Sequence, residues 1–146
     1  MEKDFNELIG KTIVLIKGLE SDSNEVIFIC NDCSVYRMYH EQDCCESVEI
    51  NDVCGDVEDL LYTPILKSEV RTNVNIPPVD EWEESYTWTF YELATIKGSV
   101  TIRWYGCSNG YYSESVDFIK MDKEDAKQMI VDSFDDSFCK EFLDNL

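Results

Sequence analysis

The sequence predicts an α+β fold: a mainly antiparallel β-sheet of about six to eight strands, followed by two C-terminal helices. Three observations carry this. Runs rich in β-branched and aromatic residues recur through residues 12–118. Asn, Asp and Gly punctuate those runs at turn spacing. Only beyond residue 121 do apolar residues fall at helical intervals.

In chain order, Phe5, Leu8 and Ile9 predict a short helix ending at Gly10. Residues 12–16 and 26–30 read as strands, and 34–40 pairs with the latter across Asn31-Asp32. Residues 46–50 form a further strand with alternate positions apolar. An acidic loop spans 51–59, with a helical turn at 57–61, and 64–70 is extended. Residues 72–84 hold Pro77-Pro78 and several acids, and are expected to be a mobile acidic surface loop. Strands follow at 86–91, 99–105 and 111–118, the last two joined by Asn109-Gly110, the strongest short hairpin signal in the chain. Within 122–146, Asp122 can cap a helix with Ala126, Met129, Ile130 and Phe134 on one face. Asp136 or Ser137 can cap a second, with Phe138, Phe142 and Leu143 inward. Such an apolar surface predicts a homo-oligomer.

Two segments share an order of features. The first runs strand, turn, Ser34-Val35, Arg37, polar loop, Glu46-Ser47-Val48-Glu49-Ile50. The second runs strand, turn, Ser99-Val100, Arg103, polar loop, Glu114-Ser115-Val116-Asp117-Phe118. This predicts a duplicated three-stranded unit, with Arg37 and Arg103 in related places.

The 146 residues form a single domain, 1–146, by size. Lys and Arg total 12 and Asp and Glu 31, a formal charge of −19. That averaged field repels polyanions and anionic lipid, so neither nucleic acid nor membrane is an expected partner. The N-terminus lacks a basic region followed by an apolar one, so a cytoplasmic protein is expected. Seven cysteines and no export signal predict free thiols. Cys30-Asn31-Asp32-Cys33 has CxxC spacing, but no second ligand pair accompanies it, so a tight turn is expected and no metal.

Two clusters could carry function. His40-Glu41-Gln42-Asp43-Cys44-Cys45-Glu46 holds the only histidine, three acids and two thiols. It reads as a cysteine–histidine pair, a metal site, a ligand-contacting loop, or a turn with solvated acids. The surrounding acids oppose a thiolate, so no catalytic residue is assigned and no enzyme is expected. In 103–113, Arg103 stands beside Tyr105, Ser108, Asn109 and Tyr111. A guanidinium, rings and small hydrogen-bonding groups are the means to hold a base and a phosphate; the other reading is aromatics in the sheet core with Asn109-Gly110 as turn chemistry. The expected ligand contacts are therefore Arg37, His40, Asp43, Arg103, Tyr105, Ser108, Asn109 and Tyr111, with Arg103 as anionic anchor. No cofactor is expected.

Residues 38–48, 88–98 and 103–116, the His-Glu-Gln-Asp-Cys-Cys-Glu block above all, resemble a family of small acidic bacteriophage proteins. Size, sheet and C-terminal helices are similar to phage Thoeris anti-defence proteins. The resemblance implies a counter-defence protein that sequesters a nucleotide-derived immune signal of the cyclic ADP-ribose type. The alternative is an acidic, nucleic-acid-mimicking inhibitor of a host defence nuclease, its partner then a host defence protein.

Overall fold

A computed structural model describes residues 4–73, 76–82 and 84–134. The alternating runs form eight strands in two antiparallel sheets of four. β1 (Ile13–Lys17), β2 (Glu25–Cys30) and β3 (Val35–Tyr39) make a meander. β5 (Lys67–Asn73), β6 (Ser85–Thr95) and β7 (Gly98–Ser108) make another. β4 (Ser47–Cys54) and β8 (Asp117–Lys120) complete the sheets, in the orders β1-β2-β3-β8 and β4-β7-β6-β5. The single sheet expected from the sequence is thus two. Alternation shows that one face of a strand is buried, but not which sheet buries it.

The sheets pack face to face. Val26, Phe28, Tyr36 and Met38 from the first meet Ile50, Leu93, Ile102 and Trp104 from the second, all essentially removed from water. Trp104 Nε1 donates to Met38 Sδ at 3.1 Å across the layer. The opposite face of the first sheet is covered by α1 (Lys123–Ser133), whose Ala126 and Ile130 pack on Ile27, Ile29 and Val35. Asp122 caps it, its carboxylate accepting the Asp125 amide at 2.9 Å. Among the described residues α1 is the one α-helix, against the two C-terminal helices expected. The second, with Phe138, Phe142 and Leu143, lies outside the described residues.

Two local readings change. The N-terminal helix is a 3-10 turn, Phe5–Leu8. The Asn109-Gly110 hairpin does not form: β7 ends at Ser108, and the chain crosses to the first sheet as β8. Asn109 Oδ1 accepts the Tyr111 amide at 3.0 Å, so its turn chemistry is local. Gly106 makes the crossing feasible, because a Cβ there would stand 2.7 Å from the Glu114 carbonyl oxygen. The Cys30–Cys33 segment is the turn expected, closed by Asp32 accepting the Ser34 amide at 3.0 Å.

The sequence repeat is a topological repeat of four strands rather than three. Each half runs 3-10 turn (Phe5–Leu8 or Val57–Leu60), three-strand meander, then a fourth strand that joins the other half's sheet. β8 pairs with β3, and β4 with β7. Met38 faces Phe118 as Trp104 faces Ile50. The linkers also meet reciprocally: Thr12 bridges Pro64, Gly10 donates to the Ile65 carbonyl at 2.8 Å, and Tyr62 to the Ile13 carbonyl at 2.9 Å.

Leu8 and Leu60, the last residues of the two 3-10 turns, are both fully buried in the inter-sheet core. Leu8→Ala and Leu60→Ala are each expected to destabilise the protein by about 2–5 kcal/mol. Urea unfolding should show both as single cooperative transitions, because neither half holds a complete sheet of its own.

Candidate ligand-binding site

The 40–46 loop is organised around one buried carboxylate. Glu46 Oε2 lies 2.8 Å from His40 Nε2 and accepts the Asp43 amide at 3.1 Å. Its Oε1 accepts the Cys44 amide and Gln42 Nε2, both at 2.9 Å. The side chains of His40 and Glu46 are 3% and 0% exposed. His40 Nδ1 donates to the Ser115 carbonyl at 2.7 Å, tying the loop to the segment before β8. Both ring nitrogens are thus held by oxygens, one from Glu46 and one from Ser115. Burial pushes the Glu46 carboxyl up, but the Cys44 amide, His40 and the Asp43 amide outweigh it and hold it at about 2. Every Glu46 oxygen is occupied by the loop itself. Cys44 and Cys45 are joined by a disulfide, against the free thiols expected. The loop's turn around Glu46 sets these neighbouring side chains together. Cys30, Cys33, Cys54 and Cys107 are thiols.

Arg103 lies on the outer face of the second sheet, opposite the core residues Ile102 and Trp104 on either side of it. Its Nε and Nη2 both donate to Asp52 on β4, a bidentate pair. Tyr105 shares this face, its ring 4.6 Å from Trp88. Its hydroxyl accepts the Val79 amide at 3.1 Å, and Trp88 Nε1 donates to the Pro77 carbonyl at 3.0 Å, so part of the 72–84 loop crosses over the aromatics. Arg37 alternates with the core residues Tyr36 and Met38, so it lies on the outer face of the first sheet, and its Nε is paired to Glu25 at 2.5 Å. The two arginines stand on opposite outer faces of the sandwich and share no pocket. Each is neutralised by a carboxylate.

Among the other expected contacts, His40 and Asp43 share the Glu46 network. Ser108 Oγ donates to Glu114 at 2.5 Å, Asn109 caps its turn, and Tyr111 is 83% exposed against Tyr112. No single cavity gathers the eight.

The free positive charge is elsewhere. A cavity of about 440 Å³ lies between α1 and the β2–β3 turn, within the usual range for small-molecule sites. Met121, Ala126 and Ile130 give it apolar walls, and Lys120, Lys123 and Lys127 line it. Among the described residues these lysines make no ion pair. Asp32 also lines it, but Lys11 pairs with that carboxylate at 2.5 Å. Burial pushes Asp32 up; Lys11 and Ser34 more than offset this and hold it at about 2. Sequence reasoning passed over these lysines, because it weighed arginines inside strands. The signal was present: three of the 12 basic residues fall within 120–127, two of them one helical turn apart.

Glu46→Gln should lower the melting temperature at neutral pH. The folded carboxyl titrates below the unfolded one, so its contribution is complete above the ordinary value near 4.5 and is lost as pH falls toward about 2. Melting curves from pH 7 to 2 should therefore converge for wild type and variant at the acid end; parallel curves would contradict this account.

A family model described as a domain of unknown function (DUF7448) matches residues 6–118. No curated protein and no solved structure matches the chain.

Proposed function

Because the chain belongs to the DUF7448 family, a domain of unknown function, we propose from geometry that it is a non-catalytic binder of an anionic, nucleotide-derived small molecule. The observation that carries this is the convergence of Lys120, Lys123 and Lys127 on one partly apolar cavity in a chain of charge −19. A chain so acidic attracts an anion only where its few positive charges are left uncompensated. Ammonium groups would take the phosphates, and Met121, Ala126 and Ile130 would face the base or ribose. The anchor is thus the lysine set, while Arg103 and Arg37 serve the sheet faces.

This reading supports the counter-defence role that the resemblance implies. A sponge lowers the free concentration of a signal by mass action and needs no chemistry. The 6–118 match leaves all of α1 and Lys120 outside it, so the lysines of this cavity would tune a general scaffold to its ligand. A nucleic-acid-mimicking inhibitor would instead act through the acidic surface, and its partner affinity would fall steeply with salt.

Calorimetric titration with cyclic ADP-ribose should show saturable binding. Lys123→Gln and Lys127→Gln should each weaken it about tenfold or more. Arg103→Ala should leave it within about threefold while costing at most about 1 kcal/mol of stability, the scale of a part-exposed pair. Unaltered affinity in the lysine variants, or its loss in Arg103→Ala, would return the anchor to the second sheet.

A further inference from the structure

A second cavity, of about 460 Å³, opens between the inner face of β5–β6 and the 110–116 segment. Its lining inverts the usual polarity of a sandwich strand. Along β6, alternation puts Thr87, Thr89 and Tyr91 on the inner face and Tyr86, Trp88 and Phe90 on the outer. The outer aromatics are shielded in part by Pro77 and Val79. The inner hydroxyls therefore replace the apolar residues that would otherwise extend the core to this end.

These hydroxyls are not all used by the protein. Thr87 Oγ1 donates to Glu114 at 2.8 Å. Thr89 and Tyr91 are only 8% and 5% exposed, yet among the described residues neither hydroxyl has a hydrogen-bond partner. Both residues line the cavity. The Tyr91 ring is fixed edge-on against Phe5, with centroids 4.9 Å apart, so its hydroxyl is held in place. Thr89 and Tyr91 both line the cavity without a protein partner for the hydroxyl among the described residues, so a guest that displaces water there can pair them.

The charges select the guest. Among the described residues no lysine or arginine lines this cavity, and Glu114 is the one carboxylate that does. An anion such as the nucleotide of the first cavity is therefore disfavoured here. Glu114 already accepts from Thr87 and Ser108 and keeps lone pairs for a further hydroxyl. Tyr112 adds a ring to the wall.

We propose that this cavity binds a neutral polyhydroxylated molecule of the carbohydrate class, through Thr89, Tyr91 and Glu114. The site is separate from the lysine cavity and does not rest on its assignment. The test is a titration of the isotope-labelled full chain with glucose, galactose, mannose and maltose, following the methyl signals of Thr72, Thr87 and Thr89. At least one sugar should give saturable shifts. Tyr91→Phe, which keeps the ring against Phe5, should weaken that binding about tenfold. Thr89→Val, followed through Thr72 and Thr87, should do the same, while Lys123→Gln leaves it unchanged. Absence of saturable shifts with all four sugars, equal shifts in both hydroxyl-deleted variants, or a stronger response to spermidine would each overturn the proposal.

Discussion

The exchange of fourth strands is the constraint on which this structure rests. The β1–β3 meander ends in Tyr39, and the edge it presents is closed by β8, from the far end of the chain. The β5–β7 meander is closed by β4, from the first half. Each crossing has to leave one sheet, span the layer between them and arrive in register. Gly106 makes the β7-to-β8 passage possible, because a Cβ there would stand 2.7 Å from the Glu114 carbonyl oxygen. Gly55, at φ +115°, lets the chain turn out of β4 within the second half's sheet, where a Cβ would stand 2.5 Å from the Ser99 carbonyl oxygen. The loops that lead into the crossings, 40–46 and 108–116, then have to be tied to each other, and the bond from His40 to the Ser115 carbonyl does so.

That architecture also distributes polarity. Each sheet has an outer face, and the two are treated differently. The first is buried under α1, with apolar contacts from Ile27, Ile29 and Val35. The second carries Trp88, Phe90 and Tyr105 beneath a proline-containing loop, with Arg103 locked to Asp52. Arg103 and Arg37 are therefore consumed in holding strands together, across β4–β7 and across β2–β3. At the junction of β8 and α1, Lys120, Lys123 and Lys127 make no ion pair among the described residues.

Much of the fold was legible from residue types. Alternation located the strands, the Cys30–Ser34 turn followed from Asn-Asp chemistry, and Asp122 marked the start of α1. The shared Glu-Ser-Val order was a true sign of repetition, although it recorded three strands of a four-strand unit. What alternation could not convey was which sheet each strand enters, since a strand buried on one face looks the same in either. Asn109-Gly110 misled for a related reason: local turn chemistry was satisfied while long-range pairing took the chain elsewhere. The candidate site was less legible. Arg103 beside Tyr105 reads like an anion clamp until Asp52 is seen across the ladder, a neighbour 51 residues away. Thr87 and Thr89 read as ordinary strand residues, because a threonine facing a cavity and one facing bulk water are the same letter.

The late arrival of β8 has a consequence for synthesis. Residues 117–120 must leave the ribosome before the edge of β3 is covered, and β4 waits for β7 in the same way. The nascent first half thus emerges with a bare strand edge and an unclaimed fourth strand. Neither can be satisfied without the second half, so translation of almost the whole described chain precedes closure. The acidic composition suits that interval: mutual repulsion between partly made chains keeps exposed edges of neighbouring copies apart until each finds its own complement.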